Sequence, residues 1–193
     1  HPDFIVIVDS LRAFHGSFGS AVLGALLPPS VYRLHSGGAY AKLSIVTTSQ
    51  LRSQCAASAK DLHVAGRLSK RVSLLWTRDA ESRALVVSAQ AAALRTLAPL
   101  ALSRLGRRVA VDDFMLALLR LSYESEIRIV EPTKVAALFA AEREHYRAVA
   151  RALLSELGAR PDGESSELLV PAGAVAPRTL LTRRLQRSRR SAL

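Results

Sequence analysis

The chain has one cysteine, one methionine and one tryptophan, and aromatic residues make up only 5% of its 193 positions. A single thiol, Cys55, excludes an internal disulfide framework and a cysteine-based zinc site, and is compatible with a reducing compartment. With so few aromatics and 49% apolar residues, the core must be built from Ala, Leu and Val, which favours helices. Long uninterrupted hydrophobic runs are missing too. The most apolar window, ALVVSAQAAALRTLAPLAL (84–102), contains Gln90, Arg95 and Pro99 and reads as a packed helix rather than a membrane span. Acid is scarce: 16 Asp and Glu face 27 Lys and Arg, a formal charge of +11. Such an excess points to an anionic partner, whether nucleic acid, nucleotide or lipid headgroup. No signal or transit peptide is visible, and the first residue is His rather than Met with a strand beginning at once, so we expect an N-terminal portion to be missing.

What is present begins with HPDFIVIVDSLRAFH. Its FIVIV run is β-branched and aromatic, too short for a helix and typical of a buried strand. Asp3 and Asp9 bracket it six residues apart, an even spacing that turns both side chains to one side of a regular strand. On the residues alone, both acids also fit plain strand ends satisfied by solvent or caps. Residues 16–27 read as a helix stopped by Pro28-Pro29, SVYRLHSGGAY as a loop with Gly37-Gly38 as its turn, and KLSIVTT (42–48) as a strand. A helix capped by Thr48 or Ser49 follows, then a helix or turn around Gly66 leading into a strand, RVSLLW (71–76).

Residues 1–76 therefore read as a mixed α/β part. Residues 77–157 read as mainly helical: a helix over 79–105 broken near Pro99, an amphipathic one over 112–121, a strand-like SYESEIRIV, and a long helix over 133–157. GARPDGESSE (158–167) has the composition of a linker, and Arg178 onward reads as a basic amphipathic helix, so 158–193 is taken as linker and tail. The last 17 residues hold six arginines and no acid.

Three segments invite a chemical reading. HGSFGS (15–20) has the Gly-Ser of a triphosphate-gripping turn, but the strand after it, KLSIV, lacks acids at alternate positions, so a plain turn opening a helix is preferred. LHVAGRLSKRV (62–72) gathers His63, Arg67, Lys70 and Arg71 around Gly66, where cations suit phosphate and Gly permits close backbone approach; a solvated basic turn has the same spacing. LSYESEIRIVEPTKV (121–135) combines a Ser-Tyr, two glutamates, Arg128 and Lys134. No zinc spacing, nucleophile elbow or P-loop occurs.

In this order the segments resemble the mitochondrial translocator assembly and maintenance family, the Tam-type phosphatidate cytidylyltransferases or CDP-diacylglycerol synthases. DFIVIVDSLRAFH is similar to the family's Asp-Phe, apolar, Val-Asp, Trp-His signature, with Phe14 in place of Trp. AKLSIVTTSQL resembles its Lys-Tyr-Gly-Val-Ile-Ser strand at Lys42. DLHVAGRLSKRV resembles its Leu-Tyr-Ile-Ala-Gly-Arg-Leu-x-Lys-Pro-Val at Leu62, Ala65, Gly66, Arg67, Leu68, Lys70 and Val72. LSYESEIRI…TKV is similar to its Leu-Ser-Tyr-x-x-Asp-Phe-Arg-Met…Lys-Val. The likeness covers roughly residues 3–157. The family's Gly-Ser-Gly loop before the Asp-Phe strand and its His-Tyr-Ser are absent, and the stretch from His15 to Lys42 is shorter.

The resemblance implies an α+β fold: a polymerase-β-type, nucleotidyltransferase-like N-terminal part, then a helical, winged-helix-like part and a basic tail. It implies the reaction of CTP with phosphatidate to give CDP-diacylglycerol and pyrophosphate, with Mg²⁺ as cofactor. Asp3 falls where such enzymes keep a metal-binding aspartate, Asp9 would be the second acid, and Lys42 would join them as a catalytic residue. His63, Gly66, Arg67, Lys70, Arg128 and Lys134 would form the substrate-binding set. The expected location is peripheral, on the matrix side of the mitochondrial inner membrane or the cytoplasmic face of a bacterial one, and nucleic acid is not an expected partner. Arg183, Arg184, Arg187 and Arg190, with Leu180, Leu181 and Leu185 at helical spacing, would hold the tail on an anionic surface. The alternatives are a catalytically degenerate family member and a basic nucleic-acid- or ribosome-associated protein.

Overall fold

The computed structural model describes residues 2–26, 29–125, 132–163 and 166–191. The chain is α+β and divides into two compact units, His1–Ser53 and Gln54–Leu193. Segment 62–72 thus belongs with the helices that follow it, whereas the change of texture in the sequence falls at residue 76.

In the first unit β1 (Asp3–Val8), β2 (Ser30–Ser36) and β3 (Ala39–Thr47) form one sheet in the order β1-β3-β2. β1 runs parallel to β3 and β2 antiparallel to it. The β2–β3 hairpin turns on Gly37 and Gly38, with φ of 54° and 80°. A two-residue turn of this hand needs positive φ at both centres, which only glycine adopts at no steric cost. β2 had read as loop because it is an edge strand lying open, so neither face imposes an apolar alternation. The helix expected over 16–27 is α2 (Phe18–Leu26), and a short α1 (Leu11–His15), capped by Ser10 and closed at Gly16, precedes it. α3 (Thr48–Cys55) follows β3 directly. Leu11, Ile45, Val46 and Leu51 are buried apolar residues of this unit.

The second unit is a helical core with a small sheet. α4 (His63–Leu68), α6 (Val111–Glu124), α8 (Arg143–Glu156) and α9 (Arg178–Ser191) all pack on α5 (Ala80–Leu105). α5 is long and apolar enough to cross a membrane, yet Ala93, Leu97, Leu100, Ala101 and Leu102 are buried against its neighbours, as befits a core helix. It runs unbroken through Pro99, where a break was expected. A mid-helix proline costs about 3 kcal/mol, and the burial of Leu97, Ala98, Leu100, Ala101 and Leu102 around it is of a size to offset that.

The helix expected over 133–157 divides at Glu142 into α7 (Pro132–Ala141) and α8. The division lets Phe139 and Tyr146 stack, 6.2 Å between ring centres. RVSLLW forms no strand: residues 71–77 carry no regular structure. Of the strand-like SYESEIRIV, Ser122 to Glu124 close α6, and residues 126–131 lie outside the described residues. The 158–167 linker is instead part of a hairpin. β5 (Arg160–Pro161) pairs with β6 (Leu168–Leu169), which also pairs with β4 (Arg108–Val109), and Arg108 holds Asp162 at 2.9 Å.

Candidate phosphate-binding site

In the first unit, the parallel register sets Asp3 directly opposite Lys42. Strands lie about 4.8 Å apart and paired residues share a face, so the acid and the lysine leave the sheet side by side. Asp3 is exposed and Lys42 half-buried. Asp9 follows the other end of β1. At about 3.3 Å per residue, six positions put Asp9 about 20 Å from Asp3, while Mg²⁺ needs its oxygens at about 2.1 Å. The two acids therefore cannot share one ion, and the expectation of a metal held by Asp3 and Asp9 together does not fit. Even spacing fixed their side of the strand but ignored the strand's length. Among the described residues no three His, Cys, Asp or Glu converge to hold a metal.

The His of the Asp-Phe…His signature has a structural place. His15 Nδ1 lies 2.6 Å from the Tyr32 hydroxyl and Nε2 3.4 Å from Ser30 Oγ, with Phe14 edge-on to both rings. A Cβ at residue 24 would come within 2.5 Å of Ser30 Oγ, so Gly24 lets α2 lie over this pair. The cluster ties α1 and α2 to β2, a pairing invisible in the sequence because its members stand 15 and 17 residues apart.

In the second unit segments 62–72 and 121–125 lie against each other. A Cβ on Gly66 would meet the Ser122 Cα at 2.9 Å and Ser125 Oγ at 3.1 Å. The close approach this glycine permits is therefore that of α6, not of a phosphate, and Gly66 itself is buried. Arg67 is only 7% exposed, so its guanidinium is not offered to solvent as a phosphate contact would be. His63 is half-buried at the start of α4, its N–H donating to Asp61 Oδ1.

Lys70 stands differently. Its Nζ lies 4.0 Å from the centre of the Tyr123 ring, and Lys134 Nζ approaches the same ring at 5.9 Å. Gln90 Nε2 donates to the Lys70 carbonyl, and the Arg71 N–H donates to the buried Tyr146 hydroxyl, so the backbone at the end of α4 is held from two sides. Two ammonium groups near one aromatic ring concentrate positive charge there, and such a spot suits a phosphate-bearing ligand. Tyr123 had no assigned role in the sequence; the signal was its place in LSY. Arg128 lies outside the described residues. The thiol of Cys55 is buried and pushed up to about 12 by desolvation, which leaves it inert.

The tail departs most from expectation. Leu181 is buried, Leu180 and Leu185 are half-buried, and α9 packs on α5, so the leucines meant for a membrane are at least partly covered by the fold. Arg184 is buried too: its Nη2 donates to the Ala57 carbonyl, and desolvation holds its pKa below the usual arginine value. Ser188 Oγ accepts from the Leu62 N–H at 2.6 Å and donates to the Arg184 carbonyl. Arg178 Nε donates to the Ser103 carbonyl. Of the expected membrane arginines, Arg183 and Arg187 present exposed side chains; Arg190 lies on α9 with its side chain outside the described residues. The chain matches no protein-family model, and a search of curated proteins returns no match.

Proposed function

We propose that the chain is a phosphatidate cytidylyltransferase that joins CTP and phosphatidate to give CDP-diacylglycerol and pyrophosphate. The observation that carries this reading is the packing of segment 62–72 on segment 121–125, with Lys70 and Lys134 gathered at Tyr123. Two of the stretches that resemble the Tam-type enzymes thus pack together. In this reading Lys70 and Lys134 neutralise phosphate oxygens, and Tyr123 holds the ammonium groups where an anion bridges them. Lys42 beside Asp3 is a second charged pair, on a unit whose parallel β1 and β3 are compatible with a nucleotidyltransferase-like, polymerase-β-type fold. In the second unit, the order helix, strand, helices and hairpin, with β4 and β5 both on β6, supports a winged-helix-like part.

The phosphatidate phosphate attacks the α-phosphorus of CTP and pyrophosphate leaves, so negative charge builds on the departing oxygens, where a nearby ammonium group stabilises it. Mg²⁺, which reactions of this class use to offset triphosphate charge, is not assigned here to Asp3 and Asp9 as a pair. A lipid substrate puts the protein at a bilayer surface, on the matrix side of a mitochondrial inner membrane or the cytoplasmic face of a bacterial one. The test is transfer of label from α-labelled CTP into the organic phase, with phosphatidate vesicles and Mg²⁺ present. Lipid-soluble label dependent on phosphatidate supports the reading; its absence across a wide range of Mg²⁺ overturns it.

A further inference from the structure

Segment 72–76, Val-Ser-Leu-Leu-Trp, joins α4 to α5 without helix or strand. Leu74 is 44% exposed, Leu75 74% and Trp76 78%. Single exposed leucines are ordinary, but three consecutive large apolar side chains in solvent are not. Trp76 is also the only tryptophan in the chain. Cations stand on both sides: Lys70 and Arg71 before the segment, Arg78 and Arg83 after it. Arg71 and Arg78 are engaged by Glu142 and Asp79, but all four side chains are more than a third exposed, so these are surface ion pairs that hold weakly in water and can be exchanged for another anion. The second unit as a whole carries 23 Lys and Arg against 14 Asp and Glu.

We infer that Leu74, Leu75 and Trp76 form a bilayer-docking loop, inserted at the headgroup level of an anionic membrane while the flanking arginines meet lipid phosphates. Three features favour a membrane over a protein groove. Tryptophan belongs at the membrane–water interface, where its ring is apolar and its indole N–H stays wet. The apolar stretch is too short to span and is bracketed by positive charge, as surface-bound segments are. The packed tail, with Leu181 and Arg184 buried, leaves α9 without the apolar face that insertion needs. The inference goes beyond the cytidylyltransferase reading and does not depend on it, because the probe is a vesicle and no nucleotide is present.

Because Trp76 is the sole tryptophan, its emission reports this loop alone. The full chain is titrated with vesicles of phosphatidylcholine containing phosphatidylglycerol, and separately with phosphatidylcholine alone. We expect the emission to shift to the blue with the anionic vesicles only, and brominated acyl chains to quench it. Leu75→Ser should weaken vesicle affinity about tenfold or more, while Trp76→Ala weakens co-sedimentation comparably. Vesicle binding with no change in Trp76 emission, or unchanged affinity in both variants, overturns the inference. So does a blue shift that appears without vesicles as protein concentration rises, which identifies a second copy of the chain as the occupant, or a shift produced by RNA and not by vesicles.

Discussion

At Gly66 a methyl group would stand 2.9 Å from the Cα of Ser122, and backbone cannot swing aside as a flexible side chain can. Gly66→Ala is therefore expected to destabilise the second unit by about 1–3 kcal/mol, read as a lower urea midpoint at unchanged slope. The sequence marked Gly66 correctly as a point of close approach and misjudged what approaches, because a helix backbone and a phosphate demand the same missing side chain. Lys70 and Lys134 carry no such ambiguity in composition, but only the fold shows that they share Tyr123. Arg67 illustrates the limit in the other direction. A cation in a basic stretch reads as solvated, and burial is decided by neighbours that the stretch does not contain. Asp3→Asn should lower turnover sharply while leaving the urea midpoint nearly unchanged, because an exposed strand-end carboxylate contributes little to packing. Full activity in that variant would remove Asp3 from the catalytic set.

Among elements, α9 has changed its part most. Ser188 accepts from the Leu62 N–H at the start of α4, and Arg184 holds the Ala57 carbonyl, so the tail clasps the segment that enters α4. Ser188→Ala leaves a buried donor without this acceptor and is expected to cost about 1–3 kcal/mol, with faster amide exchange at Leu62. Deleting residues 178–193 should destabilise the whole second unit, not merely detach it from membranes; a truncated chain with an unchanged melting temperature would refute the clasp. α6 and α8 are joined by a two-bond contact from Arg147 to Asp112, whose carboxyl is held below its usual range by those hydrogen bonds. A lowered carboxyl pKa stabilises the fold above the unfolded value near 4 and loses that stabilisation as pH falls through the folded value. The stability gap between the wild type and Asp112→Asn should thus stay level from neutral pH to about 5 and shrink below about 4.

Over the whole molecule, the helical bulk of the second unit and the strands β1 and β3 were legible because periodicity and β-branched runs reflect burial directly. β2, the β5–β6 hairpin and the packed tail were not. β2 is an edge strand with little buried surface, the hairpin strands are two residues each, and a basic helix looks solvated until something covers its leucines. RVSLLW failed the other way: it has the composition of a strand but no strand beside it, and its exposed Leu-Leu-Trp became the clue to a bilayer. The charge of +11 is consistent with phosphate ligands in general. The proposed function makes that ligand CTP and gives it to Lys70, Tyr123 and Lys134, and calorimetric titration of CTP into the wild type and into Lys70→Ala tests it most directly. The prediction is that the wild type binds CTP and that Lys70→Ala binds it at least about tenfold more weakly, with its melting temperature within a few degrees of the wild type's. Equal affinity in the two proteins, or no binding by the wild type with Mg²⁺ present, would contradict the assignment.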